Sequence, residues 1–217
     1  MLCLFFSVSY AETGADETVV TGDTMEVLKS GEIIVSKGGS KAVNGKNTVT
    51  ADKLTYDKKD SVLSASGNVR IFSKTEEDEP VEAAGPYAEY NIETGEGKLW
   101  GDKTNVKYFM KTSSAPLVLN AMEIELNRNL ETIDAYKNVE VITSSGVIYS
   151  DNALFEKKNE AVYFNKDKKR PVADVSYDGR KGLYEADKMT FYNSDKSKKI
   201  IMTGSVEAKI EMEDEIK

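Results

Sequence analysis

The sequence predicts an all-β fold: an elongated antiparallel β-jelly roll, a folded two-sheet sandwich built from repeated hairpins and open at its ends. Three observations carry that expectation. Helical periodicity is nearly absent, and no helix-length run rich in Ala, Leu and Glu occurs. Short alternating stretches rich in Val, Ile, Thr, Tyr and Phe appear instead, separated by Gly, Asn, Asp and Lys, the pattern of strands that bury one face. The third observation is an internal repeat whose apolar positions change face in mid-strand.

Residues 1–11, MLCLFFSVSYA, read as the remnant of a secretory signal peptide. Leu2 to Val8 form a short apolar core, and Ser9-Tyr10-Ala11 supplies the small residues a signal peptidase requires. No basic segment precedes that core, so the signal is expected to begin upstream of Met1. Cys3, the single cysteine of the chain, would leave with the signal, and neither a disulfide nor a Cys-based zinc site is expected. No later stretch approaches the roughly 18 apolar residues of a membrane helix. The expectation is one exported β-jelly roll over residues 12–217, located in the periplasm.

The first strand is expected from Val19 to Val27 and the last from Ser205 to Met212, and these two are the expected open edges. Between them, NTVTADKLTYD (47–57) and VLSASGNVRIF (62–72) read as strands, as does GSVEAKIEM (204–212) at the end. Turn signals stand at Asp57-Lys58-Lys59-Asp60, Glu93-Thr94-Gly95, Asn127-Arg128-Asn129 and Asn193-Ser194-Asp195. The acidic stretch Glu211 to Lys217 reads as a frayed end or a guard against uncontrolled stacking.

The repeat is clearest in Val49-x-Ala51-Asp52-x-Leu54-x-Tyr56. It returns as Ala83-x-Gly85-x-x-Ala88-x-Tyr90, Leu119-x-Ala121-x-x-Ile124-x-Leu126, Ile148-x-Ser150-Asp151-x-Ala153-x-Phe155 and Tyr184-x-Ala186-Asp187-x-Met189-x-Phe191. The small positions 51, 85, 121, 150 and 186 lie 34, 36, 29 and 36 residues apart. Side chains two apart share a face of a strand, yet Val49 and Ala51 have opposite parity to Leu54 and Tyr56. A bulge or bend at the small residue returns both pairs to one interior. Stacked hairpins turning the same corner then make two sheets around a common core.

Charge and chemistry exclude several function classes. A net charge of −8 argues against a nucleic-acid backbone as partner; the basic Lys166–Arg170 and acidic Glu76–Glu79 runs read as solvated loops. The chain contains no histidine, which removes the commonest acid–base group and metal ligand. No nucleophile elbow, phosphate-binding glycine loop or zinc spacing occurs, so no enzyme activity and no cofactor is expected. Asp52, Asp151 and Asp187 recur at matching positions. They read as side chains satisfying backbone amides at the bend rather than as metal ligands. Trp100 reads as a core or rim residue.

The run VTADKLTYDKKDSVLSASGNVRIF (49–72) resembles the OstA-like superfamily of lipopolysaccharide-transport periplasmic proteins, the LptA-like bridge proteins with their LptC- and LptD-type relatives. Ala51-Asp52, Leu54, Tyr56, Leu63, Gly67, Asn68 and Val69 carry the resemblance, and Val20-Thr21-Gly22-Asp23 is similar to the family's opening. Pro86 and Met122 stand where Asp would be expected, and Phe164-Asn165-Lys166 replaces Gly-Asn-Val. The resemblance implies a jelly roll whose apolar groove shields the acyl chains of lipopolysaccharide. It also implies end-to-end docking, edge strand to edge strand, with copies and with related domains of inner- and outer-membrane components. Candidate groove residues are Leu54, Tyr56, Leu63, Val69 and Ile71; Tyr90, Val106, Tyr108, Ile124 and Leu126; and Val139, Val141, Phe155, Met189 and Phe191. Ile133, Phe164 and Val206 are further candidates for the interior. Inward residues of any sandwich form its core, so the residue pattern alone leaves dry core and lipid groove both open. The competing readings are a non-catalytic β-repeat that polymerises through open edges and a carbohydrate-acting enzyme with two close carboxylates.

Overall fold

The computed structural model describes residues 17–127, 130–143, 145–177, 180–196 and 198–210. The expected signal remnant with Cys3, the turn residues Arg128 and Asn129, and the tail from Glu211 to Lys217 lie outside the described residues. The strands are β1 (Val19–Thr21), β2 (Thr24–Leu28), β3 (Ile33–Asn44), β4 (Asn47–Asp57), β5 (Val62–Lys74), β6 (Pro80–Asn91), β7 (Gly97–Tyr108) and β8 (Leu117–Asn127). They continue as β9 (Thr132–Thr143), β10 (Gly146–Glu156), β11 (Ala161–Asn165), β12 (Val172–Tyr177), β13 (Arg180–Glu185), β14 (Lys188–Tyr192), β15 (Lys199–Thr203) and β16 (Glu207–Ile210). Two single-turn 3-10 helices, Lys29–Gly31 and Lys157–Asn159, are the helical elements among the described residues.

All strand pairs are antiparallel, and from β3 to β11 the pairing follows chain order. The eight long strands β3 to β10 each pass through both layers, bending once. At either end the sheet forks. β2 pairs with one half of β3, Ile33 to Lys37, and β1 with the other half, Lys41 to Val43. In the same way β12 takes Gly146 to Tyr149 of β10, and β11 takes Leu154 to Glu156. One layer then ends in β12, β13 and β16, the other in β11, β14 and β15. The chain is thus a meander of V-shaped runs laid side by side, an unclosed antiparallel jelly roll as the residue pattern predicts.

The corners come in two chemical forms. In β4 the buried positions are Asn47, Val49 and Ala51, then Leu54 and Tyr56. In β8 they are Leu117, Leu119 and Ala121, then Ile124 and Leu126. Parity flips at the small residue, and the pairing registers shift there, between Thr50 and Lys53 and between Asn120 and Glu123. Shifts at Ala84/Tyr87 and Ser150/Asn152 mark the same corner in β6 and β10. The fifth small residue behaves differently. Ala186 lies between β13 and β14, where the chain leaves one layer for the other and the strand is broken outright.

Returning strands turn by a second device that preserves parity. In β5 the buried residues Leu63, Ala65, Val69 and Ile71 are all odd-numbered, and the corner is Gly67-Asn68, both left-handed (φ 75° and 50°). Lys137-Asn138 in β9 (φ 66° and 55°) and Gly38-Gly39 in β3 (φ 75° and 54°) do the same. Two successive left-handed residues reverse the pleat and bend the strand. A Cβ on Gly67 would run into the Asp52 carboxylate, one on Gly38 into Asp23, and one on Gly204 into Asp187. Asp23, Asp52 and Asp187 therefore each pack on the glycine of the following run. The spacing is fifteen residues from 23 to 38 and from 52 to 67, and Pro86 meets Gly101 at the same interval. The Asp23–Gly38 pair adds a unit at the N-terminus to the five read from the repeat.

Candidate functional site

Between the two layers lies one continuous apolar cluster, running from Ala42 in β3 to Met189 and Phe191 in β14. All fifteen groove candidates, with Ile133 and Phe164, belong to it and are buried. Leu54, Leu63, Tyr90, Val106, Tyr108, Ile124, Val141 and Phe155 have no exposed surface at all. Val206 is the exception. It is 51% exposed, because it sits at the corner of the last run, before the edge strand β16, where no further strand covers it. The interior is filled by side chains, so a guest molecule has to part the layers to enter.

The open side of the V is closed by polar groups. The turns after β3, β5 and β7 form one lip; those after β2, β4, β6, β10 and β14 form the other. Polar burial concentrates along these lips, at Asn44, Asn47, Ser61, Ser73, Thr75, Glu79, Asn193 and Ser194. Polar interactions join the lips at four stations. Tyr56 shares Thr18 Oγ1 with Asn44 Nδ2, at 3.3 and 2.9 Å. Asn47 Nδ2 donates to the Ile92 carbonyl at 2.8 Å, while its Oδ1 accepts from the Tyr90 hydroxyl at 3.2 Å and from Ser73. Lys157 Nζ lies 3.1 Å from Glu77 Oε2 and 3.5 Å from Glu79 Oε2. At the last station Ser114 N–H donates to Asp195 Oδ2 at 2.9 Å, and Asp195 N–H to the Thr112 carbonyl at 3.1 Å.

Two tyrosines stand beneath this seam with their rings in the core and their hydroxyls in the polar layer. Burial pushes the Tyr90 hydroxyl up to about 12. Burial, reinforced by the adjacent Glu79 charge, raises that of Tyr108 further. Tyr108 donates to Glu79 Oε2 at 3.3 Å, and its ring lies 5.0 Å from that of Phe155 in the opposite layer.

The recurring aspartates do not converge. Asp52 accepts from Asn68 Nδ2 at 2.9 Å, Asp151 from the Lys169 amide at 2.9 Å, and Asp187 pairs with Arg170 and Lys166. Their shared role is local, at the corner. Trp100 is neither core nor rim of the interior: it lies on the outer face, stacked on Tyr87 at 6.0 Å.

No family model and no curated protein matches the chain in sequence. A solved structure does match in shape: LptH of Pseudomonas aeruginosa, described as the LptA homologous periplasmic component of the conserved lipopolysaccharide transport device. The TM-score is 0.51 at 14% identity, over 59% of this chain and 96% of that one. The chain shares the LptH fold. LptH is spanned almost whole, and the present chain extends beyond the part that matches LptH.

Proposed function

We propose that this chain is a periplasmic lipopolysaccharide-binding transport module, non-catalytic, that shields acyl chains between its two layers and joins neighbours end to end through edge strands. Residues 1–11 serve as the signal remnant and 12–217 as the mature domain. The observation that carries the reading is the interior itself: one uninterrupted apolar core along the whole length of a sheet that is not closed, in a fold shared with a protein of the lipopolysaccharide transport device. Each methylene removed from water contributes about 0.8 kcal/mol, so a fourteen-carbon tail contributes on the order of 10 kcal/mol. That gain works against the packing between the layers that gives way as they part. Leu54, Tyr56, Leu63, Val69, Ile71, Tyr90, Val106, Tyr108, Ile124, Leu126, Val139, Val141, Phe155, Met189 and Phe191 are the proposed groove lining.

The test is equilibrium binding of a dansyl-labelled fatty acid, with displacement by purified lipopolysaccharide. Saturable blue-shifted fluorescence that lipopolysaccharide abolishes is expected. A folded sample that gives neither leaves the competing reading, a β-repeat that polymerises through its edges without lipid.

A further inference from the structure

The seam places polar groups outermost and apolar groups immediately beneath. At its third station the order from solvent inward is Glu77 and Lys157, then the carboxylate of Glu79, then the Tyr108 hydroxyl, then the Tyr108 and Phe155 rings. Glu79 is 5% exposed, a carboxylate kept almost out of water. Its oxygens accept from the Lys111 amide at 2.9 Å and from Tyr108, both on its own lip. Its partner across the seam is Lys157, whose side chain is itself largely buried. Such a buried pair holds two surfaces in register but is lost as a unit when either member is removed.

We propose that the seam is the route by which an acyl chain enters this protein, and that the ion-pair cluster of Lys157 with Glu79 and Glu77 is the latch that holds it shut. The inference rests on the lipid-binding reading above and adds to it where the ligand enters and what opens the way. The alternative routes are the two ends of the sheet, where β1, β2, β15 and β16 are edges. An amphiphile threading from an end would have to push its headgroup past every lip interaction in turn. Entering sideways, it keeps its headgroup in the polar layer and slides its tail in a few methylenes at a time. The latch lies where this exchange begins: Lys157 pairs with Glu79, which accepts from Tyr108, whose ring meets Phe155 two residues before Lys157.

The test uses the full chain and two independent readouts. Lys157→Glu sets a third carboxylate against Glu77 and Glu79. Replacing this buried pair by repulsion raises the uptake rate of a dansyl-labelled fatty acid at least about fivefold. Amide exchange near Tyr108 and Phe155 quickens with it. Lys157→Glu combined with Glu77→Lys recovers part of the parent rate, because the exposed pair is remade while Glu79 still faces a carboxylate, and Lys37→Glu, a charge change remote from the seam, leaves the rate unaltered. Conversely, Glu77→Cys with Lys157→Cys in a Cys3→Ser background, bridged by a bis-maleimide, takes up the probe far more slowly than the same protein unbridged. Uptake by the bridged protein at the unbridged rate overturns the proposal, as does Lys157→Glu behaving like the parent in both readouts. If the parent binds no probe, the lipid-binding reading fails. The latch then stands or falls on amide exchange alone.

Discussion

Tyr90 and Tyr108 each sit where the apolar interior meets the polar seam, and burial holds both protonated beyond the ordinary value of 10.0. The unfolded chain releases these protons near pH 10, whereas folded Tyr90 keeps its proton to about 12. Stability from this source is complete below the unfolded value and is lost as pH rises through the folded one. The expected loss between those values is about 1.4 kcal/mol per pH unit from Tyr90, and Tyr108 adds to it in the same direction. Urea unfolding across an alkaline series checks this. The midpoint should fall steadily above pH 10, and Tyr90→Phe should flatten part of that fall. A midpoint indifferent to pH in this range contradicts the burial of both hydroxyls. The seam that holds them was not legible in the sequence. Its partners are far apart along the chain, as with Asn47 and Ile92 or Glu79 and Lys157, and each residue alone reads as an ordinary turn residue.

At the scale of a strand, what the sequence reveals is parity. Val49-x-Ala51 against Leu54-x-Tyr56 requires a corner, and the structure puts one there. The same reasoning is blind to Gly67-Asn68 and Lys137-Asn138, because a pair of left-handed residues bends the strand without changing parity. The run 62–72 reads as one strand, but nothing in its alternation marks a bend at Gly67-Asn68. Gly38-Gly39 passes unnoticed for the same reason. At Ala186 the pattern is right and the outcome differs, since one strand half joins β12 and β16 while the other joins β11 and β15. The corner glycines give a graded prediction. Gly67→Ala meets both a left-handed φ and the Asp52 carboxylate, whereas Gly39→Ala meets the φ alone, with open space around its Cβ. The first should cost roughly 2–3 kcal/mol and the second about 1 kcal/mol. Asp52→Ala should relieve Gly67→Ala in part and leave Gly39→Ala unchanged. Denaturant midpoints of these variants decide it, and equal costs at both glycines would mean that the aspartate does not pack as described.

For the molecule as a whole, the forked ends matter most. Each layer stops at one edge strand at either end: β1 and β2 at the start, β16 and β15 at the finish. Both ends expose apolar side chains, Val19, Met25, Val27 and Leu28 at one and Ile201 and Ile210 at the other. Unpaired edges of this kind template addition of another strand. If copies join start to finish, as proposed above, the contact is head to tail, and a head-to-tail contact that does not close into a ring grows without limit. Blocking one end therefore does not merely weaken assembly; it caps it. Val27→Lys should disable the starting end and Ile201→Lys the finishing end, each leaving the interior untouched. Sedimentation should show the parent growing with concentration and each variant alone remaining a monomer. An equal mixture of the two should stop at dimers, formed between the intact finish of the first and the intact start of the second. A parent that stays monomeric at every concentration removes end-to-end assembly of copies. Larger species in the mixture would place the contact on some surface other than these edges.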